Sequence, residues 1–354
     1  MPTEQDTYQR YYRNHHRGIF FWIRNARAIS VPQSLLPAAL AVSMCTGQEG
    51  FCGWIATVAV VGVVIGHLGM NLADDYFDYQ RDSRIRSTLS ATSVRARLDK
   101  CAYIQSGDAT IADLHRAMWL FLGLAGLAGL TCFAGRWFLS GWKSAGFMAI
   151  YALIGLFLGI NYSGGHLKLC MHGLGELVIG LMFGPLLMLG IQAASIGVAI
   201  SEQMLVLSLA IGFLVTNIVF VHSVMEVQAD QELGKSTFAH RLYRSSRIPE
   251  LVAVSIFALV PYALVALGVL LKWWSTWYLL TFLTLPMAAY LIVSLTRFVH
   301  GLPTNDSPRW WMGPMTEFKI FQDAGLDWFL IRWLLARNIV MYFCIIWIIV
   351  RCLF

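Results

Sequence analysis

Apolar residues along the chain run in nine stretches long enough to cross a bilayer, near 31–48, 52–72, 112–133, 140–160, 173–193, 203–225, 249–271, 276–296 and 328–350. A helix rises 1.5 Å per residue and needs about 20 apolar residues to traverse the hydrocarbon, whereas a barrel strand needs only about ten. No water satisfies the backbone in that layer, so each stretch must close its own hydrogen bonds as a helix. The pattern predicts an all-α, multi-pass membrane bundle of nine transmembrane helices. Residues 1–30 carry Arg10, Arg13, Arg17, Arg24 and Arg27 among aromatics, a basic amphipathic segment suited to an anionic membrane surface. Residues 31–354 read as one helical domain.

Composition agrees: 57% of the 354 residues are hydrophobic and 13% charged, about half the ~25% charge of a soluble domain. The net charge of +6 is not a nucleic-acid signal, because only Arg136, Lys143, Lys272 and Arg351 of the 26 basic residues fall on one side of the predicted membrane. The remainder lie in the N-terminal segment, at helix ends and in the loops of the opposite side, which the positive-inside rule makes cytoplasmic. The N-terminus is then cytoplasmic and Phe354 external. The first thirty residues lack the short apolar core and cleavage site of a signal peptide, which favours a bacterial cytoplasmic membrane. Seven scattered cysteines suggest neither disulfide nor zinc site. Gly123, Gly126, Gly129, Gly173, Gly180 and Gly184 read as helix-packing positions. Trp273, Trp274, Trp310 and Trp311 read as anchors at the membrane edges.

The long polar loops share the cytoplasmic face, so the chemistry is expected there. Span 2 ends in Asn71, Asp75, Asp78 and Asp82, spaced i, i+4, i+7, i+11 on one helical face. Span 6 ends in His222, Glu226 and Asp230, followed by Lys235. Carboxylates aligned in a low dielectric repel one another unless a highly charged cation sits among them. Mg²⁺ suits them, since it shares its shell between carboxylates and substrate phosphates. Two acidic helix ends facing each other could hold one diphosphate between them. Basic residues beside them, Arg81, Arg84, Arg86, Arg95, Arg97 and Lys100 after the first and Lys235 and Arg241 after the second, could grip its oxygens. The ordinary alternative, acids that merely solvate helix ends, suits one such cluster better than two.

The first cluster, with the acidic x3-D-x-E-x-G-K-x-T block of the second, resembles the UbiA superfamily of intramembrane prenyltransferases. The nearest resemblance is to the menaquinone branch, the 1,4-dihydroxy-2-naphthoate polyprenyltransferases. Tyr162-Ser-Gly-Gly with Gly173-Leu-Gly-Glu176, and Trp22 and Arg27 ahead of Val31-Pro32, are similar to two further stretches of that branch. The resemblance implies that Asn71, Asp75, Asp78, Asp82, Glu226 and Asp230 bind a Mg²⁺–diphosphate. It also implies that Lys168, Lys235, Arg27 and an arginine such as Arg81 neutralise the leaving group, and that Tyr162 lies near the reacting carbon. The implied reaction transfers a polyprenyl group from polyprenyl diphosphate to a small aromatic acceptor, with the tail drawn from the lipid bilayer.

Two features depart from the family pattern. Met225 stands where the branch carries an arginine, which leaves open other aromatic acceptors or a membrane terpene cyclase. Residues 301–327 form an insertion, read as an interfacial hairpin. A transporter is the reading from another class, but transporters place ionisable groups near the midplane on broken helices, whereas these acids gather at one face.

Overall fold

The computed structural model describes residues 18–82, 101–232, 234–304 and 307–354, with the side chains of Arg81, Asp82 and Glu232 outside the described residues. Arg84, Arg86, Arg95, Arg97 and Lys100, and the part of the N-terminal segment before Gly18, also lie outside them. The described chain is all-helical, with no strands. In order the helices are α1 (Ile19–Asn25), α2 (Pro32–Cys45), α3 (Gly53–Asp82), α4 (Ala102–Gln105), α5 (Ile111–Ser163), α6 (Gly175–Leu181), α7 (Leu187–Ile196), α8 (Glu202–Met225), α9 (Val227–Glu232), α10 (Phe238–Leu242), α11 (Ile248–Leu270), α12 (Leu285–Val299), α13 (Phe318–Asp323) and α14 (Asp327–Leu353).

Eight segments among the described residues are long and apolar enough to cross a membrane, each coinciding with predicted apolar stretches. The 53-residue α5 takes in two of those stretches. Straight, it would measure ~80 Å at 1.5 Å per residue, more than twice the hydrocarbon thickness. It is broken at Gly141, whose φ of 80° and ψ of 172° lie outside the helical region and are open to glycine alone at little cost. Its start is fixed by a capping box, in which Thr110 and Asp113 exchange side-chain and backbone hydrogen bonds.

Span 5 carries a different irregularity. Pro185 supplies no N–H to the helix and crowds the preceding turn, and Met182–Leu186 accordingly forms a π turn between α6 and α7. This turn lies against α8, where a Cβ added to Gly184 would fall 2.5 Å from Gly212 Cα and 2.5 Å from the Ser208 carbonyl oxygen. Gly180 is closed in the same way by Thr216 and the Gly212 carbonyl. These two glycines are the close-packing positions the sequence suggested, but Gly123, Gly126 and Gly129 are not, since an added Cβ there meets nothing within 4 Å. The contact between α3 and α5 is made instead by Gly62, Gly66 and Gly69 against Ala128, Ala125 and Leu122.

The main apolar core is formed by α2, α7, α8, α11, α12 and α14. Trp274, expected at a membrane edge, belongs to this core: it is 6% exposed and meets Trp347 edge to face at 4.8 Å. Trp310, at 93% exposed, is free to act as the predicted anchor. A smaller cluster joins α1, α3, α4 and the start of α5 through Phe21, Leu72, Tyr103 and Leu114. The segment after Gly301 is tied to the bundle rather than standing off it as a hairpin. Asn338 of α14 donates to the Met312 and Pro314 carbonyls at 2.8 and 3.1 Å, and Arg337 donates to those of Pro314 and Ile29 at 3.0 and 3.1 Å.

These contacts predict opposite outcomes for the same change at two glycines. Gly184→Ala overpacks the α8 contact and lowers stability by about 1–3 kcal/mol, whereas Gly123→Ala meets open space and is neutral or slightly stabilising. Thermal midpoints of the purified variants in one detergent check both.

Candidate active site

One cavity of about 1140 Å³ runs through the bundle. On α3 it is lined from Asp78 at one end to Ala59 towards the other, ~28 Å along the helix axis at 1.5 Å per residue, close to the full hydrocarbon thickness. Most of its wall is apolar, including Met70, Phe133, Leu156, Phe183 and Leu187, and the charged groups gather at one end.

That end is built from the two predicted acidic helix termini. Asn71, Asp74 and Asp78 of α3 line it, and from across the cavity so do Glu226, at the C-cap of α8, and Asp230 of α9. Asp78, Glu226 and Asp230 are 3%, 6% and 3% exposed. Asp75 takes a different place from the expected one: it is fully buried and outside the cavity lining, and its Oδ2 accepts a hydrogen bond from the Tyr103 hydroxyl at 3.2 Å. Asp74, which the sequence reading passed over, faces the cavity and accepts a hydrogen bond from the Ser163 hydroxyl.

Among the described residues, Arg27 and Lys235 are cations paired with these acids. The Arg27 guanidinium lies 3.2 Å from Asp74 and 3.3 Å from Asp75, and also donates to the Asn71 carbonyl at 3.0 Å. Burial works against its charge, but Asp75, Asp74 and Asp78 outweigh that effect and raise its pKa above the usual arginine value. Lys235 Nζ lies 3.6 Å from Asp78 Oδ2. His222 Nδ1 is 3.3 Å from Glu226 Oε2, and its ring meets Phe329 at 5.0 Å.

The loop carrying Lys235 is tied to the connection after α5. Glu176, 2% exposed, accepts from the backbone N–H groups of Phe238 at 3.0 Å and Ala239 at 3.4 Å, capping α10 with a carboxylate. Thr237 accepts from the His240 N–H at 3.2 Å, and the Ser236 N–H donates to the Met171 carbonyl at 3.2 Å. Tyr162 lines the cavity as expected. Lys168 does not: it is exposed, with a left-handed φ of 42°, outside the cavity lining. Met225 is buried in the main core and does not line the cavity. Glu317, Phe321 and Leu326 of the tied-down insertion do line it, as do Arg24 and Arg27.

A helical membrane bundle whose polar chemistry is confined to one end of a long apolar cavity has the form of an enzyme for a substrate with a charged head and a lipid tail. The comparisons give that class a family: residues 34–312 match the UbiA prenyltransferase family, so the chain belongs to it and is a prenyltransferase. A 2-carboxy-1,4-naphthoquinone phytyltransferase of Synechocystis sp. is 26% identical over 295 residues, 81% of this chain and 85% of the relative. A 1,4-dihydroxy-2-naphthoate octaprenyltransferase of Escherichia coli is 24% identical over 283 residues, 78% and 84% of the two chains. The structure of a UbiA homolog from Archaeoglobus fulgidus bound to GPP and Mg²⁺ shares the fold, with a TM-score of 0.53, 12% identity and coverage of 89% of this chain and 98% of that one. The family match ends before Glu317, Phe321 and Leu326.

Burial, and then the charge of Asp75, hold the Tyr103 hydroxyl well above the usual phenol pKa. A raised folded-state value stabilises the protein fully below the unfolded pKa of about 10 and progressively less above it. Wild-type protein therefore loses thermal stability as pH rises past about 10, and Tyr103→Phe flattens that decline. The same variant is less stable at neutral pH by about 1–3 kcal/mol, because Asp75 loses a buried donor.

Proposed function

We propose that this chain transfers a polyprenyl group from polyprenyl diphosphate to an aromatic acceptor, most closely 1,4-dihydroxy-2-naphthoate in menaquinone biosynthesis, and that it requires Mg²⁺. The observation that carries the reading is the meeting of both acidic helix ends, with Arg27 and Lys235, at one end of an apolar cavity. The names of the naphthoate-prenylating relatives support the choice of acceptor.

The donor set fits Mg²⁺: Asn71, Asp74, Asp78, Glu226 and Asp230 offer hard oxygens at that end, with the His222 imidazole beside Glu226. Among the described residues no three His, Cys, Asp or Glu side chains converge into a metal cage. That also suits Mg²⁺, which is commonly held by one or two carboxylates with the rest of its shell left to water and substrate phosphates. Asp75 and Asp82 belong to the same proposed group, Asp75 acting through Arg27. Bound Mg²⁺ would supply Lewis-acid stabilisation of charge on the departing diphosphate. Arg27 and Lys235 would bind diphosphate oxygens and stabilise the same charge, with Arg81 a further candidate.

Chemically, the allylic C–O bond breaks and its electron pair leaves with diphosphate. A nucleophilic ring carbon then forms the new C–C bond, and the ring regains aromaticity by losing a proton, or carbon dioxide from a carboxylate. Tyr162 and Phe183, which line the cavity, would stabilise cationic character on the prenyl carbon, and the apolar wall would keep water from capturing it. We further propose nine crossings, with α5 turning back at Gly141, and a cytoplasmic N-terminus. The active-site end would then face the cytoplasm across the cell membrane, with Arg136 and Arg351 at the external end. Arg136, 1% exposed, clamps the carbonyls of Gly50, Ala194 and Ser195 there.

Membranes containing the protein, supplied with Mg²⁺, labelled polyprenyl diphosphate and 1,4-dihydroxy-2-naphthoate, are expected to yield lipid-soluble prenylated product. EDTA abolishes it, and Asp78→Asn or Asp230→Asn lowers turnover at least 100-fold, about 2.7 kcal/mol of transition-state stabilisation. Metal-dependent diphosphate release without naphthoate product would redirect the acceptor to another aromatic ring or to cyclisation of the prenyl chain. Neither product nor release from folded protein would refute the reading.

A further inference from the structure

Behind the acidic end, α3 carries a histidine that the mechanism above does not use. His67, 7% exposed and one helical turn before Asn71, lies between Ser30, just ahead of α2, and Ser34, in the first turn of α2. Its Nε2 is 3.3 Å from Ser30 Oγ and its Nδ1 is 2.8 Å from Ser34 Oγ. Each serine hydroxyl also reaches a backbone carbonyl, Ser30 Oγ that of Arg27 at 2.8 Å and Ser34 Oγ that of Val31 at 3.0 Å, so the imidazole bridges the two serines in one network whichever ring nitrogen carries the proton. Asn71 Nδ2 donates both to Ser30 Oγ at 3.2 Å and to the Ala26 carbonyl at 2.8 Å. Both amide protons of Asn71 are thus committed to the segment behind it.

The consequence is directional. With its nitrogen held on Ala26 and Ser30, the Asn71 amide cannot rotate by half a turn, and its oxygen is the atom left for the cavity that the residue lines. A free asparagine would present either end at little cost, and the nitrogen end repels a cation. The same serine closes the turn in which Arg27 adopts a left-handed φ of 58°, a conformation a non-glycine residue holds only when its surroundings fix it.

We propose that His67, through Ser30, is a positioning residue that fixes Asn71 with its oxygen towards a divalent cation and holds Arg27 over Asp74 and Asp75. The inference rests on the prenyltransferase reading above and adds to it the source of the cation's affinity. Groups that orient metal ligands typically contribute 10–100-fold to metal affinity, while the ligands themselves are unchanged.

The test uses purified full-length protein and Mn²⁺ as a spectroscopic probe, titrated with geranyl diphosphate present and followed by electron paramagnetic resonance. His67→Phe and Ser30→Ala are each expected to weaken Mn²⁺ binding by about tenfold. The KM for Mg²⁺ in turnover rises in parallel, and kcat at saturating Mg²⁺ falls far less. His67→Gln, whose amide can either donate to Ser30 or accept from it, is expected to restore most of the affinity. Unchanged Mn²⁺ affinity in folded His67→Phe or Ser30→Ala overturns the proposal, as does a loss confined to kcat. Should His67→Phe not fold, Ser30→Ala, which keeps the ring, decides by the same criteria. Wild-type protein that neither binds Mn²⁺ with the diphosphate nor turns over would instead overturn the functional reading itself.

Discussion

The structure depends on the neutralisation of carboxylates at the edge of the lipid. Three aspartates occupy barely more than one turn of α3, and two further acids face them from α8 and α9. At the effective dielectric of a protein boundary, a pair of like charges 4 Å apart costs roughly 4 kcal/mol. Arg27 answers two of the aspartates and Lys235 a third. Neither cation belongs to the helices that carry the acids on α3 and α8, so the bundle must bring each in on a connecting segment and fix it there. Arg27 sits in a strained turn fastened by Ser30, Asn71 and, through Ile29, by Arg337 of α14. Lys235 sits on a loop fastened by Glu176 and Met171.

This division of labour explains why distant pieces of chain converge on one end of the cavity. The spanning helices supply the wall and the acids, and the connections supply the cations. Arg337 joins the turn holding Arg27 to Pro314, so the segment bearing Glu317 and Phe321 is part of the same rigid frame. An apolar cavity nearly as long as the bilayer is thick, charged only at one end, matches a substrate that is itself charged at one end.

The spans were legible because an apolar stretch of about 20 residues admits only one backbone solution in lipid. The two acidic ends were legible because aligned carboxylates require a cation. Which aspartate faces the cavity was not. Relative to Asn71, Asp74 and Asp75 lie about 60° and 40° to opposite sides of the helix at 100° per residue, so spacing alone cannot choose between them. Packing chooses: Tyr103 of α4 draws Asp75 inward, leaving Asp74 to the cavity. Gly123, Gly126 and Gly129 looked like a packing stripe, but the matching small residues on α3 meet alanines of α5 on another face. Met225 looked like a lost contact in the site, yet its side chain is turned into the core. The pinning roles of Glu176 and Arg337 could not be read locally, because their partners lie 62 and 308 residues away in sequence.

The central claim is that the two acidic helix ends form one metal–diphosphate site. The most direct test is a double-substitution cycle on metal-dependent binding of a non-hydrolysable prenyl diphosphate analogue to purified protein, using Asp78→Asn and Asp230→Asn singly and together. Residues serving one shared site give losses that are not additive, with a coupling of about 0.5–3 kcal/mol, and no variant or wild type binds tightly without metal. Strictly additive losses, or binding that persists in EDTA, would contradict the account.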